Sequence, residues 1–330
     1  METFKIIAAM KKRPFPVVLA LVVGVTGSAP RHLGAAMAIW PDGSSLGSVG
    51  GGEVETATLE AARRCFKDRK STKIRASMLG QNSHEVEPIC GGEVEILVQH
   101  LDSLGAYEVA DRILSQGRIA VLVFDLEDRD DGSPGLSAVV DSEALDGLDY
   151  EALAQAARGE AVLSSRDNRL YIGVGPPEKL LILGGGYVGR ALAEAAIPLG
   201  FAVTVADFRG EFADPKRYSP DVSVIHAAFE KAIRDFPFDP WTYAVVVSPG
   251  HVQDLECVRA ILRKPYKYAG FIGSKRKAQL VRSVLAEEGF PHEAIASLHA
   301  PIGMEIGAET PEEIAISILA QLVAVRRKVN

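Results

Sequence analysis

Lys179-Leu-Leu-Ile-Leu-Gly-Gly-Gly-Tyr-Val-Gly189 decides the fold. An apolar run leads into glycines at 184, 186 and 189, and residues 190–199 follow at helical spacing. Strand, tight glycine turn and helix in that order form a seat in which bare backbone approaches a pyrophosphate resting on the positive end of the helix. Outward from this stretch, residues 202–207, 222–225, 243–248 and 268–273 are short apolar runs, with helical segments clearest at 253–262 and 275–288. Runs that are apolar throughout, rather than at alternate positions, are covered on both faces, the pattern of a parallel sheet. Thr310-Pro311-Glu312-Glu313 supplies an N-cap hydroxyl, a proline at the first helical position and a glutamate three residues past the cap, so a closing helix should run to about Arg327. The second half is therefore expected to be α/β, a Rossmann-like doubly wound parallel sheet.

The first half reads as an α+β domain with glycine-rich turns. A strand at 16–25 leads to Gly27-Ser28-Ala-Pro-Arg31-His-Leu-Gly34, a strand at 36–40, a turn at Pro41-Asp42-Gly43, and Gly47-Ser-Val-Gly50-Gly51-Gly52. A helix from about 53 to 66 follows, then Cys90-Gly91-Gly92 running into a strand at 94–99, a helix at 107–116 and a strand at 119–125. Gly173-Val-Gly-Pro-Pro177 should continue neither helix nor strand, which divides the chain into domains at 1–175 and 176–330.

The chain has 330 residues, 47% of them hydrophobic, and carries 36 Lys plus Arg against 43 Asp plus Glu, a net charge of −7. This composition excludes disordered, collagen-like and coiled-coil classes. An acidic chain without a long basic run is not built to coat nucleic acid or an anionic membrane. Three cysteines make neither a disulfide framework nor a zinc ribbon, and the chain reads as cytoplasmic. Lys11-Lys12-Arg13 before the apolar residues 15–25 imitates a secretory signal, but Pro14, Pro16 and the abundance of valine suit a buried strand better.

Several residue groups are candidates for chemistry. Asp207 ends the strand after the glycine turn, where an acid binds a ribose diol, although Arg209 lies two residues on. Gly-Gly-Glu-Val-Glu occurs twice, at 51–55 and 91–95. One reading is a ligand with an anionic end and an N–H-rich heterocycle, the amides of Gly50, Gly51, Gly52, Gly91 and Gly92 taking the first and Glu53 or Glu55 the second. The other is that the glycines serve turns and the acids favour a helix N-terminus; sequence leaves the two open. Ser28 and Arg31 lie in the first glycine loop, and Cys90 precedes two glycines, a position for a soft metal ligand or thiolate. Cys65 and Cys257 fall in amphipathic helices and read as core. Ser274, Lys275 and Arg276 open a helix and form a second candidate anion cradle, while His251 is expected just past a strand's carboxyl end and His299 in another glycine-bearing loop. No Ser/His/Asp order or HExxH spacing is present.

At these residues the chain resembles the XdhC/CoxI family, accessory factors of xanthine dehydrogenase and related molybdenum hydroxylases. The resemblance is carried by residues 27–37, 47–55, 90–92, 183–189, 207–212, 273–277 and 299–314, the last being the most specific to the family. It implies a cofactor-binding insertion chaperone rather than a catalyst. Such a protein holds molybdenum cofactor, in its molybdopterin or dinucleotide form, and delivers it to an apo-hydroxylase, in some members together with a cysteine desulfurase acting as sulfurase. A homodimer is expected, with the glycine turns of the first domain and the Rossmann crevice facing a shared ligand. Many relatives carry Cys at the position of Glu53, which leaves Cys90 alone here, and Thr-His-Asp-His where this chain has Ser248-Pro-Gly-His251. The competing expectation, from the glycine fingerprint and Asp207, is an NAD(P)-dependent oxidoreductase.

Overall fold

The computed structural model describes residues 2–27, 31–77, 92–127, 135–141, 147–248 and 250–327. The chain divides into two compact units, Met1–Pro176 and Pro177–Asn330.

The first unit contains α1 (Glu2–Lys12), β1 (Val17–Thr26), β2 (Ala36–Ile39), β3 (Ser45–Gly47), α2 (Gly52–Asp68), β4 (Thr72–Ser77) and β5 (Glu93–Leu101). These are followed by α3 (Tyr107–Ser115), β6 (Ala120–Asp125), β7 (Gly135–Val140), α4 (Tyr150–Ala156), β8 (Ala161–Leu163) and β9 (Arg169–Val174). Two sheets result, ordered β3-β2-β1-β5-β4 and β7-β6-β9-β8, with every recorded pairing antiparallel. The valine-rich run that imitated a signal core is the central strand β1. Its Val18, Ala20 and Val22 pack with Val54, Ala61, Ala62 and Cys65 of α2. Its Val17, Leu19, Leu21 and Val23 share a core with Ile6, Ile7 and Met10 of α1 and with Leu122, Phe124 and Ile172 of the second sheet. Burial on both faces explains why an antiparallel strand lacks hydrophobic alternation.

Two details differ from the sequence reading. β3, β4, β7, β8 and β9 had no expected counterpart, being short, edge-placed or carrying charged and small residues. The expected break at Gly173 is part of β9, which continues to Val174. Gly173 is required there because a Cβ would lie 1.8 Å from the Ala156 carbonyl oxygen, so α4 approaches the strand only at a glycine.

The second unit contains β10 (Lys179–Leu183), α5 (Tyr187–Ala196), β11 (Ala202–Asp207), a 3-10 turn (Pro215–Arg217), β12 (Ser223–His226), α6 (Phe229–Asp235), β13 (Thr242–Val246) and α7 (His251–Ile261). It closes with β14 (Tyr268–Phe271), α8 (Lys275–Glu287), α9 (His292–Ala296), β15 (Leu298–His299) and α10 (Pro311–Arg327). The sheet order is β12-β11-β10-β13-β14-β15, every pairing parallel. That is the 3-2-1-4-5-6 order of a Rossmann sheet, reversing direction between β10 and β13. Leu180, Ile182, Val203, Val205 and Tyr243 meet α5 and α10 on one face. Leu181, Leu183, Ala206, Ala244 and Val246 meet α6, α7 and α8 on the other. The expected capping box of α10 is present: Glu313 Oε2 accepts from the Thr310 amide at 3.0 Å and Thr310 Oγ1 accepts from the Glu313 amide at 3.3 Å. Among the described residues no helix is long and apolar enough to cross a membrane.

Candidate functional site

Strand register brings the glycine-rich connections of the first unit together. Thr26 pairs with Glu93, Glu93 with Ser77, Leu21 with Ala36 and Met37 with Gly47. The β1–β2, β3–α2 and β4–β5 connections therefore leave the same end of one sheet, and Arg31, Gly50, Gly51, Gly52, Glu53, Glu55 and Gly92 all belong to that end. Ser28, Cys90 and Gly91 lie outside the described residues. An open groove of about 440 Å³, lined by Val25, His32, Leu33, Glu160 and Ala161, lies beside the β1–β2 connection.

The start of α2 is unusual. Gly50, Gly51 and Gly52 have φ of 152°, 74° and 54°, which side chains rarely adopt. A Cβ on Gly51 or Gly52 would meet nothing within 4 Å, so backbone conformation, not crowding, requires glycine there. Glu55 folds back onto the turn, its Oε1 accepting from the Ser48 hydroxyl at 2.5 Å and the Gly51 amide at 3.2 Å. One carboxylate thus occupies part of the amide cluster, whereas Glu53 is exposed.

In the second unit the glycine fingerprint sits at the carboxyl end of β10 and opens α5. A Cβ on Gly184 would lie 2.6 Å from the Val247 carbonyl oxygen, and one on Gly189 would lie 1.8 Å from that of Gly184. These two glycines let β13 and α5 pack closely, while Gly186 faces open space. Asp207 ends β11 fully buried. Its Oδ2 accepts from the Gly185 amide at 2.8 Å and Arg209 Nη2 at 2.8 Å, and its Oδ1 from the Arg209 amide and Nε at 2.9 Å each. Burial works to raise its pKa, but these donors hold the carboxyl below the usual range.

The other candidates separate. Ser274 caps its own helix, accepting from the Lys277 amide at 3.2 Å. Lys275 pairs with Glu305 at 2.6 Å with both side chains exposed, and Arg276 is exposed. Lys277 turns inward and donates to Asp254, whose other oxygen accepts from the Ser248 hydroxyl. Sequence reasoning missed Asp254, because an acid in the first turn of a helix looks like an ordinary complement to the dipole. His299 stacks on Tyr268 at 4.5 Å, and burial together with Arg282 pushes its pKa down. Cys65 and Cys257 are buried in their helices; burial pushes the Cys65 thiol up and that of Cys257 to about 12. Among the described residues no group of three His, Cys, Asp or Glu is arranged to hold a metal ion. A further groove of about 350 Å³, lined by Thr204, Ser223, Ile225, Ala232 and Phe236, lies beside β11, β12 and α6 and shares no residue with the glycine turn.

Comparison with known proteins adds to this geometry. The XdhC Rossmann domain pattern matches residues 180–322, and the XdhC and CoxI family pattern matches residues 11–76. The chain belongs to the XdhC/CoxI family. It is 25% identical over 321 residues to a probable xanthine dehydrogenase subunit of Bacillus subtilis (strain 168), covering 94% of each chain. It is 26% identical over 312 residues to the molybdenum cofactor insertion chaperone PaoD of Escherichia coli (strain K12), covering 94% of this chain and 83% of PaoD. It is 27% identical over 327 residues to E. coli YqeB, where it spans 99% of its own length but only 46% of that relative. A crystal structure of a xanthine dehydrogenase from Bacillus halodurans superposes with a TM-score of 0.80 at 23% identity, covering 100% of this chain and 97% of that one. The fold of that structure is thus shared along the whole of this chain.

Proposed function

We propose that this XdhC/CoxI member binds molybdenum cofactor and assists its maturation and insertion into a xanthine dehydrogenase-type molybdenum hydroxylase. The observation that carries the reading is the common end of the first sheet, where Arg31, the left-handed glycines Gly50, Gly51 and Gly52, Glu53 and Gly92 belong to neighbouring connections. The donor set fits the group. The Gly50 and Gly51 amides already donate to Ser48 Oγ and Glu55 Oε1, so the Gly52 amide and the Arg31 guanidinium suit its phosphate, and the exposed Glu53 carboxylate suits the parallel N–H groups of a pterin edge. Bound cofactor brings the molybdenum and the dithiolene that holds it. Cys65 and Cys257 are enclosed in cores, which leaves Cys90 as the cysteine for any sulfur contact.

The expected partner is an apo-hydroxylase, as the names of the B. subtilis and E. coli relatives suggest. A sulfurase, a homodimeric state and a cytoplasmic location complete the reading. The test is elemental analysis and pterin fluorescence of protein purified without oxygen from a cofactor-producing host. Wild type should retain molybdenum and pterin together, and Arg31→Ala combined with Glu53→Ala should lose most of both. Absence of retention, with normal hydroxylase activity in a strain lacking the protein, would reject the proposal.

A further inference from the structure

The carboxylate best placed to read a ribose in the second unit is already engaged. In a dinucleotide seat of this topology the acid ending the second strand accepts hydrogen bonds from the ribose hydroxyls. Here Asp207 is fully buried and receives four donors, two of them from the Arg209 guanidinium. Such a bidentate, charge-assisted fork is stronger than the bonds a neutral diol would offer in exchange.

The fork is also braced from outside. The Arg209 guanidinium lies 4.0 Å from the centre of the Phe212 ring, and Arg217 lies 4.7 Å from the same ring. Arg217 Nη1 donates to the Glu211 carbonyl at 3.0 Å. The Tyr218 hydroxyl donates to the Phe212 carbonyl at 2.8 Å and lies 3.2 Å from the Gly185 carbonyl. A Cβ on Gly185 would be 2.5 Å from the Phe212 oxygen and 2.6 Å from the Tyr218 hydroxyl, so the segment after β11 lies directly on the glycine turn.

We propose that Arg209 is a specificity-determining residue. By occupying Asp207 it closes the glycine turn to ligands recognised through a vicinal diol, adenine dinucleotides with a free ribose among them. A phosphate-bearing ligand that does not need Asp207 meets no such barrier. The inference stands apart from the cofactor reading, since it concerns what the second unit refuses.

Calorimetric titration of the full chain with NAD, NADP and adenosine tests it. Wild type should give no binding heat with NAD or adenosine at millimolar concentration. Arg209→Met, which keeps the stack on Phe212 but removes every side-chain donor, should raise NAD affinity by about tenfold or more, equivalent to ~1.4 kcal/mol. Adding Asp207→Asn to that variant should abolish the gain. Micromolar NAD binding by wild type would overturn the proposal, as would a folded Arg209→Met protein that gains none. NADP binding by wild type that disappears in Arg209→Met would overturn it too, by showing that the fork opens to a phosphate. If Arg209→Met melts far below wild type, Arg209→Lys is the second variant: a single ammonium cannot fork, so the gain should be smaller but of the same sign.

Discussion

Gly-Gly-Glu-Val-Glu at 51–55 opens the helix α2, whereas Gly92-Glu-Val-Glu95 of the second copy enters the strand β5. The pentapeptide is neutral between the two, and the residues after it decide. Past Glu55 the buried positions are Thr58, Ala61, Ala62 and Cys65, at helical spacing. Past Glu95 come Ile96, Leu97 and Val98, all buried between β1 and β4. Val54 and Val94 nevertheless enter the same core cluster, so one side-chain type serves both conformations. The acids differ as well. Glu55 caps its own turn, while Glu95 lies beside Gly24 and pairs at 3.7 Å with Arg75 and 4.0 Å with Lys73. A short repeat therefore fixes neither conformation nor role; the tertiary partners of the next turn or strand do.

The comparison can be broken most severely just after the repeat. Ile96→Ala removes a fully buried side chain and should cost about 2–5 kcal/mol in urea unfolding, whereas Thr56→Ala at the matching exposed position of α2 should change stability by less than about 0.5 kcal/mol. A similar loss at both positions would show that β5 is not set by its core contacts. The next largest effect concerns the turn itself. Gly51→Ala forces a side chain into φ 74° with open space around it, so the loss should be about 1–2 kcal/mol of backbone strain, read as a lowered denaturation midpoint. A neutral outcome would mean the turn relaxes without glycine. The smallest effect separates the two acids: Glu55→Ala should cost about 1 kcal/mol through the lost Ser48 and Gly51 hydrogen bonds, and Glu95→Ala less than about 0.5 kcal/mol, because its ion pairs are long and partly exposed. Equal losses would remove the distinction between cap and surface pair.

Legibility followed the same line. All the expected strands of the second unit and the helices α5, α7, α8 and α10 were readable, because parallel strands are apolar on both faces and glycine, serine and proline mark their ends. The first unit was readable along β1, β2, β5 and α2 but not at β4 or in most of the second sheet. Thr72–Ser77 alternates lysine and arginine with small or apolar residues, and β9 runs through Gly173. In both places long-range pairing overrides weak local preference. For the site, the glycine turns and Asp207 were visible as residue types, but their occupancy was not. That Glu55 fills its own turn and Arg209 holds Asp207 depends on side-chain directions that spacing does not encode. Asp254, seated between Ser248 and Lys277, was missed for the same reason.

The six-stranded sheet tapers towards its borders, to four residues in β12 and two in β15. Each margin thus presents few main-chain rungs on which a foreign strand could grow. In the proposed role, beside enzymes still being assembled, such margins would offer unfinished segments little to template on.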